Sequence, residues 1–113
     1  MKIALVQMDV AHGKPVENKK HVKEMLERAL SEKPDVIVLP EMWNTGYALD
    51  ELDGLADKEG LNSQELLSHF ARKHAVAIIG GSVAIEKDGK FYNTTYVLSL
   101  IHISEPTRPI SIS

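Results

Sequence analysis

The order of apolar and polar residues over the first forty positions predicts a strand, a helix and a second strand. Residues 2–8 and 35–39 are short apolar runs, which is typical of strands buried on both faces. Residues 17–32 carry apolar side chains three and four positions apart and stop before Pro34, so they predict an amphipathic helix. Elements of these lengths indicate a parallel strand pair joined by a right-handed crossover.

The second half of the chain predicts one more helix and three more strands. Asn62 and Glu65 form a capping-box pattern, with Asn62 as the N-cap, before a helical stripe that ends near His74. Three apolar runs follow as strands, at residues 76–80, 82–86 and 91–98. The last two are joined by an Asp-Gly hairpin turn. The predicted fold class is therefore α/β, with one mixed sheet of five strands and two helices on one face.

Residues 40–61 show no sustained period and contain the first candidate for chemistry. A loop of about twenty residues is uncommon in a compact domain and is often functional. Glu41 stands one residue beyond the second predicted strand, and ligands of open parallel sheets bind outside the carboxyl ends of the strands. Beside Trp43 and Tyr47, its carboxylate is expected to be at least partly buried, an environment that suits a general base. Two alternatives stay open. The carboxylate of Glu41 would cap nearby backbone amides, and the two aromatic residues would cover the core instead of lining a substrate pocket.

Composition and charge exclude several classes of protein. The chain has 113 residues, of which 43% are hydrophobic and 26% charged, and its formal net charge is −3. These values are typical of one small globular domain, and they provide no basic surface for nucleic acid or an anionic membrane. No apolar run approaches the roughly 20 residues that span a bilayer, and the first residues lack a signal-peptide pattern. We therefore expect a cytoplasmic protein without nucleic-acid or membrane partners.

Cysteine and histidine usage removes two further kinds of site. The chain has no cysteine, so it contains no disulfide, no thiolate metal site and no thiol nucleophile. Its histidines show no His-Glu-x-x-His pattern, and His69 and His74 are five positions apart, so these two do not share a helix face. We therefore expect no metal site.

Four segments, in this order, resemble the nitrilase superfamily, the carbon–nitrogen hydrolases. They are KIALVQMD at residues 2–9, the glutamate segment LPEMWNTGY at 39–47, IIGGS at 78–82 and YNTTY at 92–96. The resemblance runs from residue 1 to about residue 97. The glutamate segment is most similar to the bacterial branch of ω-amidase-like enzymes, which includes 2-oxoglutaramate amidases.

The resemblance implies a fold, a reaction and a site. The fold is the N-terminal part of an α-β-β-α sandwich whose second sheet lies outside this chain, so one face of the present sheet is expected to expose apolar residues. The reaction is hydrolysis of a small linear carboxamide by a Glu–Lys–Cys mechanism that releases ammonia and needs no cofactor. Glu41 matches the family's glutamate, and Trp43 and Tyr47 are expected to contact substrate. The family's lysine and cysteine lie further along than this chain reaches, so the chain itself is expected to be inactive.

The last residues resemble something else. The segment LSLIHISEPTR at residues 98–108 is similar to the translation of a transposase adapter used in sequencing-library preparation. We therefore expect a partial carbon–nitrogen hydrolase domain at residues 1–97 and a non-native tail at 98–113. The alternative for the tail is an edge strand with a frayed terminus.

One alternative stays open for the function. The chain would be a non-catalytic α/β module that binds a small molecule or a partner. The family resemblance instead implies an enzyme that is a homodimer or larger.

Overall fold

The regular elements follow the predicted order and add several short ones. The computed structural model describes residues 1–48, 52–98, 103–104 and 107–109. The elements are β1 Ile3–Leu5, α1 Pro15–Leu30, β2 Val36–Val38, α2 Leu52–Leu55, β3 Asp57–Lys58, α3 Leu61–His74, β4 Ala77–Ile79, β5 Val83–Lys87, β6 Lys90–Thr94, β7 Val97–Leu98, β8 Ile103–Ser104 and β9 Thr107–Pro109.

The strand–helix–strand unit at the start of the chain is confirmed. Strands β1 and β2 are parallel, with Ile3 opposite Val36. Helix α1 begins at Pro15, whose fixed φ and missing N–H suit the first position of a helix. The helix therefore begins two residues before the predicted start at residue 17, directly after the loop that follows β1.

The strands form two sheets, so the prediction of one five-stranded sheet is wrong, although the α/β class and the two long helices are confirmed. The larger sheet has the order β1-β2-β4-β7-β8, and the smaller has the order β3-β5-β6-β9. The predicted hairpin is present as β5 and β6, but it lies in the smaller sheet. The cause is the pair Gly80-Gly81: Gly81 has a φ of +60°, which ends β4 and redirects the chain.

Helix α3 begins before the position that the sequence predicts. Asn62 is not the N-cap of α3, because the helix begins at Leu61 and Gly60 is its N-cap. Instead the Asp57 carboxylate accepts hydrogen bonds from the backbone N–H groups of Asn62, at 3.3 Å, and Ser63, at 2.7 Å.

The domain boundary at residue 97 stays a prediction. Strand β8 pairs with β7, and β9 pairs with β6. The other residues from 99 to 113 lie outside the described part of the chain.

The core lies on one face of the larger sheet. Ile37, Ile78 and Leu98 lie opposite one another on three neighbouring strands, and all three are buried. The two long helices add apolar side chains to the same cluster, namely Val22 and Leu26 from α1 and Leu67, Phe70 and Ala71 from α3. Because side chains alternate along a strand, the neighbours of these residues in the same strands, Val38, Ile79 and Val97, point to the other face.

The other face of the larger sheet exposes the apolar surface that the sequence predicts. Leu5, Ile79 and Val97 form one row across the sheet, with half-buried Val38 between Leu5 and Ile79. Leu5 is 74% exposed, whereas Val38 is only partly accessible, so β2 contributes less than β1 to this surface. A continuous apolar surface of this kind favours association with another surface.

We expect substitution of Leu5 by lysine to weaken self-association of the 113-residue chain. Burial of a leucine contributes about 1.5–3 kcal/mol, so the association constant should fall by at least about tenfold. Sedimentation velocity over a concentration series measures the change. The matched control is Val16→Lys, because Val16 is 82% exposed but lies on α1, away from this sheet face. Equal effects of the two substitutions would show that added charge, and not the sheet face, controls association.

Candidate active site

Glu41 lies at the carboxyl end of β2, as the sequence predicts, but its side chain is exposed. The residue follows the last residue of β2, Val38, by three positions. Met42 adopts a left-handed backbone conformation with a φ of 51°, and residues 42–46 are all buried. The turn therefore places the next five residues in the interior and leaves Glu41 at the surface, so the expected partial burial is wrong. A base at this position would need further chain to exclude water from it.

The backbone on both sides of Glu41 is bonded to the segment between β4 and β5. The Met42 N–H donates to Ser82 Oγ at 2.9 Å, and the Trp43 N–H donates to the Ser82 carbonyl at 3.0 Å. The Ser82 N–H in turn donates to the Pro40 carbonyl at 3.3 Å. These bonds hold residues 40–43 against the end of the larger sheet.

Asn44 joins the same turn to the smaller sheet. Its side-chain Nδ2 donates to the Ala84 carbonyl at 2.9 Å, and its Oδ1 accepts from the Ala84 N–H at 2.9 Å. This buried amide thus pairs with β5 as the backbone of a neighbouring strand would. Its loss would leave two buried backbone groups of Ala84 without these partners.

Asn18 joins the turn to α1 and to the loop after β1. Its Nδ2 donates to the carbonyls of Asn44, at 2.9 Å, and Ala11, at 2.8 Å, while its Oδ1 accepts from the Ala11 N–H at 2.7 Å. Sequence reasoning missed Asn18, Asn44 and Ser82. A signal existed for Asn18, because it falls on the same helical stripe as the buried residues Val22 and Leu26, four and eight positions later.

The two aromatic candidates occupy different environments. Trp43 is 1% exposed and belongs to the main core cluster, and its Nε1 donates to the Gly80 carbonyl at 2.9 Å. Tyr47 is 60% exposed. Trp43 therefore covers the core, as the alternative interpretation proposed. A contact of either residue with substrate stays a prediction.

A groove of about 620 Å³ lies beside the turn, between the first residues of α1, the segment from α2 to β3, and the start of α3. Trp43 and Asn44 line it, together with polar side chains that include Lys19 and Asp57. Neither Glu41 nor Tyr47 is among the described residues that line this groove. The predicted base and this cavity are therefore separate features of the structure.

The described part of the chain contains neither a cluster of metal-binding side chains nor a membrane-spanning helix. No three or more His, Cys, Asp or Glu residues among those described are grouped so that they could hold a metal ion. Within the same residues, no helix is both long enough and apolar enough to cross a membrane.

The family assignment follows from the fold and from sequence comparison together. Residues 2–101 match the family model of the carbon-nitrogen hydrolases, so the chain belongs to this family. Among its relatives is the 2-oxoglutaramate amidase of Bacillus subtilis, which is 46% identical over 95 residues, covering 84% of this chain and 36% of that protein. The omega-amidase NIT3 of Saccharomyces cerevisiae is 31% identical over 107 residues, covering 88% of this chain and 37% of that protein.

A solved structure shows the same fold. The crystal structure of Saccharomyces cerevisiae Nit3, a member of branch 10 of the nitrilase superfamily, superposes with a TM-score of 0.77 at 26% identity. The match covers 93% of this chain and 43% of that one. The fold is therefore that of the nitrilase superfamily, and the chain spans about a third of the length of the curated relatives that it matches.

Proposed function

We propose that the chain is the N-terminal portion of an amidase that hydrolyses a small linear carboxamide, such as 2-oxoglutaramate, and releases ammonia. The observation that carries this proposal is the position of Glu41. It stands at the carboxyl end of β2, in a turn bonded to both sheets, and in a chain 46% identical over 95 residues to a 2-oxoglutaramate amidase. A carboxylate in this place has its backbone held while its side chain is exposed.

The chemistry requires three groups because an amide carbon is a weak electrophile. A cysteine thiol, after losing its proton to Glu41, attacks the carboxamide carbon, and a lysine stabilises the oxyanion of the tetrahedral intermediate. Glu41 gives the proton to the departing ammonia, which leaves a thioester. Glu41 then takes a proton from water as the water oxygen attacks the thioester, and it returns this proton to the departing sulfur, which releases the carboxylic acid and the free thiol. These side chains supply a nucleophile, a base and a cation without a metal or cofactor.

The 113-residue chain supplies one of the three groups. It contains Glu41 but no cysteine, so it cannot form the thioester. We propose that residues 98–113 are a non-native tail and that the natural protein continues beyond residue 97 with the lysine and the cysteine. The continuation would also exclude water from the exposed Glu41 carboxylate, and Tyr47 and Trp43 would contact the bound amide. The complete protein is proposed to act in the cytoplasm as a homodimer or larger assembly.

The test starts from the gene. Genomic DNA is read past the codon for Leu98, and the complete protein is assayed for ammonia release from 2-oxoglutaramate beside the 113-residue chain. We expect a continuous frame that encodes a lysine and a cysteine, clear turnover by the complete protein, and none above background by the short chain. A stop codon directly after Ser113 would contradict the proposal and favour the non-catalytic binding module. Hydrolysis by the cysteine-free chain would contradict the mechanism.

A further inference from the structure

Ser82 contacts the chain on both sides of Glu41. The residue is 5% exposed and follows the two glycines between β4 and β5. Its N–H donates to the carbonyl of Pro40, the residue before Glu41, and its carbonyl accepts from the Trp43 N–H, two residues after Glu41. Its side-chain oxygen accepts from the Met42 N–H at 2.9 Å. One residue therefore holds both peptide groups that flank Glu41.

Only one of these bonds depends on the side chain of Ser82. The two bonds that use its backbone remain in any substituted protein that keeps the fold, whereas the bond to Met42 requires Oγ. Met42 has a φ of 51°, a left-handed conformation that is unfavourable for a non-glycine residue. Without Oγ, the buried Met42 N–H would lose its partner at the strained residue that directly follows Glu41. The hydroxyl thus stabilises the backbone conformation from which the Glu41 side chain extends.

We propose that Ser82 is a positioning residue, whose hydroxyl fixes the orientation of Glu41 for proton transfer. This inference rests on the proposed role of Glu41 as the base. Ser82 does not touch the reacting atoms; it acts through the Met42 peptide group. Since proton transfer needs the base within hydrogen-bond reach of the thiol, a shift of about 1 Å in Glu41 is enough to lower the rate by roughly a hundredfold.

The test compares Ser82→Ala with Ser82→Thr in the complete protein. We expect the alanine variant to lower kcat by about ten- to a hundredfold with little change in KM, because the base is displaced while the substrate contacts remain. Ser82→Thr retains a hydroxyl and should recover most of the turnover. Turnover is expressed per active site, taken as the fraction of molecules that circular dichroism and urea unfolding show to be folded. A purely structural role would lower the number of active sites and leave the rate at each one unchanged.

The matched control is Ser68→Ala. Ser68 lies on α3, and its buried Oγ has no hydrogen-bond partner among the described residues. Its replacement removes the same hydroxyl group and should leave kcat unchanged. A fall in kcat equal to that of Ser82→Ala would overturn the inference.

Glu41→Gln is assayed in parallel, so that the two proposals fail separately. Wild-type turnover by Glu41→Gln would overturn the proposed function. Loss of turnover in Glu41→Gln, together with a wild-type rate per active site in Ser82→Ala, would overturn only the role of Ser82. If the alanine variant does not fold, Ser82→Val takes its place, because valine keeps the shape of threonine without the hydroxyl: a lower rate per active site than in Ser82→Thr supports the role of the hydroxyl, and an equal rate overturns it.

Discussion

Replacement of Glu41 by glutamine in the complete protein is expected to lower kcat by about 10²–10⁴-fold. The two side chains have nearly the same shape, but the amide accepts no proton from the thiol and cannot activate water. Since Glu41 is exposed and its carboxylate makes none of the hydrogen bonds described for the turn, the fold should not depend on its charge. Substrate binding should change less than turnover, because the lost interaction acts in the transition state.

Ammonia release from 2-oxoglutaramate measures this effect, and circular dichroism confirms the fold of each variant. Glu65→Gln is the matched control, because Glu65 also carries an exposed carboxylate but lies on α3, outside the turn. We expect the control to retain wild-type turnover. A folded Glu41→Gln protein with wild-type kcat would show that another group is the base.

Replacement of Gly81 by alanine is expected to destabilise the fold by about 3–5 kcal/mol or to prevent folding. Gly81 has a φ of +60°, and a Cβ at this position would lie 1.9 Å from the Pro40 carbonyl oxygen and 2.7 Å from the Leu39 carbonyl oxygen. The Pro40 carbonyl oxygen is held by the Ser82 N–H that it accepts from, and the backbone of Leu39 is held by its own N–H, which donates to the Ile79 carbonyl. The alanine methyl group would therefore separate the Glu41 turn from the end of the larger sheet.

Gly89→Ala separates this steric effect from the cost of the backbone conformation. Gly89 also has a positive φ, +74°, but apart from its two chain neighbours no atom of the described residues lies within 4 Å of the position that its Cβ would take. Its replacement should cost only about 1 kcal/mol, the penalty of the left-handed conformation. Urea unfolding of the 113-residue chain, followed by the fluorescence of its single buried tryptophan, Trp43, measures both variants. Equal losses of stability at the two glycines would contradict the close approach at Gly81.

The amino-acid sequence determined the parts of this protein that depend on near neighbours along the chain. The apolar stripe of α1 has the helical period, and the runs around Ile37 and Ile78 indicate buried strands, because these periods follow from local backbone geometry. The position of Glu41 at a strand end follows from the same local pattern. The absence of a thiol follows from composition alone.

The tertiary structure decided what surrounds each of those residues. Trp43 lies in the core, where its indole N–H donates to the carbonyl of Gly80, 37 positions away. Asn44 is bonded to Ala84, 40 positions away. The same packing leaves Glu41 exposed and moves the β5–β6 hairpin into a second sheet. Contacts between such distant residues depend on how Gly81 turns the chain and on which strands then pair. The local pattern of apolar residues predicts neither the turn nor the strand pairing, since the period of a strand is the same whichever sheet it joins.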